Sequence, residues 1–170
     1  GRMELLGDAS SDVTAVVDYA HTPDGLRSAL KAIHEHVDGR IWCVFGCGGN
    51  RDQGKRPLMA EVAEELADFV VLTDDNPRNE NPDDIIRQIL LGVNDRDGVY
   101  VERDRASAIA FAIGAAAPGD IVLVAGKGHE SYQDICGQRM AFSDSAQVRL
   151  ALQKRQQQAS GPASDHGDLS

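Results

Sequence analysis

The chain has 170 residues, 42% of them hydrophobic, which is enough for one well-buried domain and too few for two. Its 17 basic and 27 acidic residues leave a formal charge of −10, a field that repels a nucleic-acid backbone or an anionic membrane surface and favours small ligands met by local positive groups. No run approaches the roughly 18 to 20 apolar residues that span a bilayer, and Gly1-Arg2-Met3-Glu4 has no apolar leader, so a cytoplasmic protein without membrane insertion is expected.

Short β-branched runs alternate with amphipathic segments. Residues 13–17 read as a strand, followed by a helix over 23–37 with Thr22 as N-cap, Pro23 at the first helical position and a stripe of Leu26, Ala29, Leu30, Ile33 and Val37. A second strand over 41–45 leads through a Gly-rich loop into a helix over 56–67, and a third strand covers 69–72. Asn81-Pro82 starts a helix carrying Ile85, Ile86, Ile89, Leu90 and Val93 inward, a fourth strand covers 99–101, and Asp104 caps an Ala-rich helix to residue 117. The run Ile121-Val122-Leu123-Val124-Ala125 is the most apolar of all, as a parallel strand covered on both faces requires. Residues 131–142 read as a hairpin turning near Cys136-Gly137-Gln138, and Ser143-Asp144 cap a last helix to about residue 154. From residue 156 onward Gln, Ser, Gly and Asp dominate, which predicts a domain over 1–155 and a disordered tail over 156–170.

Repeated strand-then-helix connections predict an α/β domain of Rossmann-like, doubly wound type, with a mostly parallel sheet and a C-terminal β-hairpin and helix. The polar motifs then fall just after strands and converge on the carboxyl edge of the sheet, where open α/β folds bind ligands. Three cysteines do not build a metal site: Cys43 and Cys47 are separated by three residues, and His34 and His36 point to different faces of a helix. No metal ligands are assigned.

Four loops carry the chemistry. Asp18-Tyr19-Ala20-His21-Thr22-Pro23 sets a carboxylate and an imidazole beside a helix N-terminus, which suits ribose hydroxyls and phosphates and equally suits an ordinary cap. The segment Gly46-Cys47-Gly48-Gly49-Asn50-Arg51-Asp52-Gln53-Gly54-Lys55-Arg56 is not a phosphate loop of the Gly-Lys-Ser/Thr kind, because Arg56 follows Lys55, yet Arg51, Lys55 and Arg56 form an anion-attracting patch. Asp74-Asp75-Asn76-Pro77-Arg78 puts both signs of charge on one turn, fitting a ligand that bears a carboxylate and an ammonium, as an amino acid does; a polar turn before a Pro-started helix reads the same way. In Gly126-Lys127-Gly128-His129-Glu130, Glu130 shares with Asp75 the capacity to hold an ammonium, and His129 reads as a hydrogen-bonding neighbour before a general base.

With these loops assembled, the chain resembles the carboxy-terminal domain of a Mur ligase, specifically the diaminopimelate-adding branch of that family. The resemblance rests on residues 18–23, 45–59, 73–78 and 125–130 and runs from residue 1 to about 152. It implies an ATP-dependent ligase, acting with Mg2+, that activates a carboxylate of UDP-MurNAc-L-Ala-D-Glu as an acyl phosphate for attack by the amine of meso-diaminopimelate. Carried onto this sequence, the resemblance gives Arg51, Asp75, Asn76, Pro77, Arg78, Gly126 and Glu130 to the amino acid, and Arg2, Asp18 and His21 to the nucleotide side. Arg78 would read the distal carboxylate that lysine lacks. The family's Gly-Lys-Thr loop, magnesium ligands and carbamylated lysine lie on a central domain that these residues do not include, so no catalytic residue is assigned and the chain alone is expected to be inactive. Two alternatives remain: a different Mur or folylpolyglutamate-synthase-type module, against which Arg78 and Glu130 speak, and a freestanding nucleotide- or metabolite-binding domain, against which the missing dinucleotide glycine pattern speaks.

Overall fold

The computed structural model describes residues 3–8 and 10–160. Thirteen elements follow in the order β1 (Glu4–Leu6), β2 (Thr14–Asp18), α1 (Pro23–His34), β3 (Ile41–Phe45), α2 (Lys55–Leu66), β4 (Phe69–Leu72), α3 (Pro82–Leu90), β5 (Val99–Val101), α4 (Arg105–Ala115), β6 (Ile121–Ala125), β7 (Tyr132–Ile135), β8 (Gln138–Ala141) and α5 (Asp144–Ser160). Six strands form one sheet in the order β1-β2-β6-β3-β4-β5, and β7 and β8 form a separate antiparallel hairpin. Every neighbouring pair from β2 to β5 is parallel, and β1 alone runs antiparallel, on β2.

Sequence dictates the layering. Central strands β3 and β6 are buried along their whole length, with helices covering both faces. One face packs Leu26, Leu30 and Ile33 of α1, Met59 and Val62 of α2 and Ile85 and Ile89 of α3 against Cys43, Phe45, Leu72 and Leu123. The opposite face packs Ile109, Ala112 and Ile113 of α4 and Val148 and Leu152 of α5 against Val17, Val44, Val71, Val122 and Val124. The alternation within each strand thus feeds two cores, which is the doubly wound arrangement expected from the sequence.

The predicted caps take their places. Thr22 accepts from Gly25 N–H, Asn81 from Asp83 N–H and Asp104 from Ser107 N–H, each satisfying an amide with no partner inside its helix. Two expectations change. Strand β1 was not anticipated: its three residues carry little periodic signal, and it forms by pairing with β2 while Leu6 enters the core. Helix α5 runs through Ser160, so residues 156–160, expected as the start of a disordered tail, are helical. Arg155 supplies a tertiary reason, with a bidentate pair to Asp12 and bonds from Nη1 to the carbonyls of Ile113 and Ala116 at the end of α4. Residues 161–170 lie outside the described residues. No described helix is long and apolar enough to cross a membrane.

Candidate amino-acid-binding site

The carboxyl ends of β2, β3, β4 and β6 surround a cavity of about 410 Å3. The turn after β4 forms its floor. Thr73 N–H donates to Phe45 O and extends the strand pairing by one bond, after which Asp75 and Asn76 turn inward and are buried. Arg78 sits in the left-handed region at φ 53°, a conformation that costs a side-chain-bearing residue roughly 1–2 kcal/mol. The hairpin holds it there: Arg78 N–H donates to Asp134 O, and Cys136 N–H donates to Arg78 O. Arg78 is half-buried and lines the cavity, and its Nη1 donates to Gly49 O at 3.0 Å, which anchors one arm of the planar fork.

The Gly-rich loop after β3 lies directly on this turn. Gly49 N–H donates to Asn76 O at 2.8 Å, and a Cβ on Gly49 would stand 1.8 Å from Pro77 O, so only glycine permits the approach. Arg51 and Lys55 remain exposed at the rim. Arg56 does not join them: it is 1% exposed, and its guanidinium donates to both oxygens of Glu80, to Gln88 and to Gly48 O. The expected basic patch therefore loses Arg56, whose charge is consumed in fastening the loop to α3.

From the end of β6, Gly126 at φ 115° brings the backbone close to Asp75, where a Cβ would stand 2.8 Å from Oδ2. Lys127 follows, with no exposed side-chain surface, and its ammonium donates to Asn76 Oδ1 at 2.8 Å, Glu130 Oε1 at 3.2 Å and Asp75 Oδ1 at 3.3 Å. Asn76 turns its Nδ2 to Glu130 Oε1, and Tyr19 donates its hydroxyl to Glu130 Oε2. The negative charge of Glu130 holds the Tyr19 phenol above its ordinary pKa. Burial pushes the Cys47 thiol up to about 12, with the charge of Asp75 adding to the effect, so this pocket-lining cysteine is a neutral thiol.

Arg51, Asp75, Asn76, Arg78, Gly126 and Glu130, all expected at an amino-acid site, line this one cavity together with His21. Pro77 is buried behind the turn and outside the lining, where it shapes the turn for Arg78. Asp18, expected to face a nucleotide, is 3% exposed and outside the lining; its Oδ1 accepts from Ala20 N–H and closes the turn after β2. That turn presents His21, whose Nδ1 donates to Tyr19 O at 3.1 Å and whose side chain lines the cavity. His129 is exposed and lies outside the lining, and Arg2 lies outside the described residues. Among the described residues no group of three His, Cys, Asp or Glu side chains is placed to share a metal ion, so none is assigned to Mg2+.

Lys127 and Tyr19 are the site residues that sequence reasoning missed. No sequence signal pointed to the burial of Lys127, because a lysine between two glycines at a strand end reads as a solvated loop residue.

A doubly wound α/β sheet carrying a pocket of mixed charge at its carboxyl edge defines a small-ligand-binding domain. Residues 1–128 match the family model described as Mur ligase, glutamate ligase domain. The chain is 56% identical over 158 residues to the UDP-N-acetylmuramoyl-L-alanyl-D-glutamate--2,6-diaminopimelate ligase of Acidovorax sp. (strain JS42), covering 91% of this chain and 31% of that protein. It is 53% identical over 154 residues to the ligase of the same name from Vibrio vulnificus (strain YJ016), covering 89% of this chain and 31% of the relative. A solved structure of a ligase so named superposes with a TM-score of 0.85 at 47% identity, over 92% of this chain and 32% of that one. The chain belongs to the Mur ligase family and spans about a third of the length of the curated relatives it matches.

Proposed function

We propose that this chain is the amino-acid-selecting domain of a cytoplasmic, ATP-dependent ligase that joins meso-diaminopimelate to UDP-MurNAc-L-Ala-D-Glu. Residues 1–155, continued by the end of α5 to residue 160, would act as one unit. The observation that carries the proposal is the joint presence in one cavity of Arg78, fixed by Gly49 O, and the acids Asp75 and Glu130. The distal end of meso-diaminopimelate bears both a carboxylate and an ammonium, so it can engage the guanidinium fork and the acids at once; lysine would leave the fork unmet. The names of the similar ligases support this substrate.

Arg51 at the rim would meet the second carboxylate of the amino acid, and the reacting amine would then face the open side of the cavity. Asn76 would hold the acids in register. His21, with Arg2, would line the nucleotide side, while Asp18 would act there only by closing the turn that presents His21. ATP supplies the phosphoryl group that activates the acceptor carboxylate when bound, together with Mg2+. The acyl-transfer machinery would reside outside this chain, whose own part is to bind the amine and orient it.

The test is steady-state kinetics in the ligase carrying this domain. Arg78→Ala should lower kcat/KM for meso-diaminopimelate by about 10²-fold or more, because a fork-to-carboxylate contact is lost. Unchanged kinetics would remove Arg78 from the site. The chain alone should release no phosphate with ATP and meso-diaminopimelate, and measurable release would contradict the division of labour.

A further inference from the structure

We infer that Lys127 is a specificity-determining positioning residue, an internal cation that adapts the acid cluster to a zwitterionic ligand end instead of a purely cationic one. The inference rests on the proposed amino-acid site and goes beyond it, because Lys127 lies behind the lining and contacts the ligand only through its neighbours.

Charge comes first. Asp75 and Glu130 both face the cavity, and two adjacent carboxylates with no cation would form a strong general site for any amine. Lys127 lies within 3.3 Å of both, so the cluster offers a single surplus negative charge. Arg78 supplies one positive charge across the same cavity. Asp75, Glu130, Lys127 and Arg78 together are therefore balanced for a ligand end bearing one carboxylate and one ammonium, with Arg51, Lys55 and Asp52 adding one net positive charge elsewhere in the lining. A lone ammonium beside these four groups meets an unneutralised guanidinium.

Geometry is the second part. Asn76 Oδ1 accepts from Lys127 Nζ and from Asp134 N–H, so its amide cannot turn over without setting a donor against two donors. Its Nδ2 is thereby directed to Glu130 Oε1, which also accepts from Lys127, while Tyr19 occupies Oε2. Lys127 thus fixes at once the orientation of the amide and of the acid that faces the ligand.

The experiment uses the ligase carrying this domain, with Lys127→Met, which keeps the length and removes the charge, and Lys127→Arg, which keeps the charge and changes the geometry. Lys127→Met should raise KM for meso-diaminopimelate about tenfold or more, leave KM for ATP within about twofold, and shift the kcat/KM ratio of meso-diaminopimelate to L-lysine toward lysine. Lys127→Arg should raise KM for meso-diaminopimelate by a smaller factor, about threefold, because a planar fork cannot reach three acceptors disposed around one point. If Lys127→Met does not fold, as judged by circular dichroism, the arginine variant decides alone. A folded variant with the wild-type KM for meso-diaminopimelate, or one in which KM for ATP rises equally, overturns the inference. Wild type and Arg78→Ala are run beside them. If wild type does not discriminate meso-diaminopimelate from lysine, the substrate proposal fails; if it does and the Lys127 variants are silent, only the role of Lys127 fails.

Discussion

Asp144→Asn removes one charge from a buried pair that sits between the second core and the site. Arg105 and Asp144 are each 1% exposed or less, and the guanidinium donates to the carboxylate from Nε at 2.7 Å and from Nη2 at 2.8 Å. Removing one partner of such a pair leaves an uncompensated buried charge and costs about 3–5 kcal/mol. A domain of this kind has about 5–15 kcal/mol of total stability, so the loss is a large share of it. At about 2–4 °C per kcal/mol for this size, the melting temperature should fall by about 6–20 °C. Urea unfolding of the 170-residue chain can be followed by its single tryptophan, Trp42, which is 4% exposed and stacked on Phe69 with ring centroids 4.2 Å apart. The double variant Arg105→Met/Asp144→Leu tests the cause. It removes the stranded charge, so it should be less destabilised than Asp144→Asn although it carries two substitutions. A loss below about 1 kcal/mol for Asp144→Asn, the range of an exposed pair, or an additive double variant, would refute the assignment of the pair as a buried electrostatic unit.

Two further outcomes follow from the loops. Gly49→Ala sets a methyl group 1.8 Å from Pro77 O and must push the Gly-rich loop off the turn; a loss of about 1–3 kcal/mol in denaturant titration is expected, with weaker binding of meso-diaminopimelate because Gly49 O positions Arg78. Wild-type stability would show the loop to be free to move. Glu80 is held below its ordinary value near 4.5, first by its hydrogen bonds from Arg56. The contribution of that pair is fully present above about pH 4.5 and is lost as pH falls through the lower native value, so Glu80→Gln should flatten the acid limb of a stability-versus-pH curve. An unchanged acid limb in the variant would mean that the pair does not contribute.

Much of the architecture was legible because it depends on patterns local to each segment. Thr22, Asn81 and Asp104 announce helix starts by their side-chain oxygens, and the uninterrupted run 121–125 announces a strand covered on both faces. The convergence of four loops was legible for a topological reason, since parallel strands put all their carboxyl ends on one edge. What stayed hidden depends on distant partners. Strand β1 exists through its pairing with β2 and through Ser145, whose hydroxyl donates to Glu4. The end of α5 looked unstructured because its apolar content is low; Gln, Ala, Lys and Arg are nevertheless strong helix formers, and the bonds of Arg155 to α4 anchor the segment. The burial of Arg56, Arg105 and Lys127 was equally hidden, since a basic residue in sequence reads as a solvated one.

Those three buried cations share a function that explains how loops can form so ordered a cavity. Strand pairing fixes the backbone only to about Phe45, Leu72 and Ala125, and the charged groups lining the cavity lie beyond these ends. Each cation bridges the gap at a different point. Arg56 donates to Gly48 O and to Glu80, joining the Gly-rich loop to the entrance of α3. Arg105 donates to Asp74 O and Ala125 O, joining the ends of β4 and β6 to Asp144 at the start of α5. Lys127 ties the last of these loops to Asp75 and Asn76. Because a buried charge is stable only with its partners in place, each clamp resists displacement more steeply than an exposed hydrogen bond would. The cavity-lining cations Arg51 and Arg78 carry no carboxylate partner among the described residues, so their charge stays available to an incoming carboxylate while the frame around them is already set. Preorganisation of that kind reduces the ordering that binding must impose, and it predicts that loosening any one clamp weakens the amino acid before it unfolds the domain.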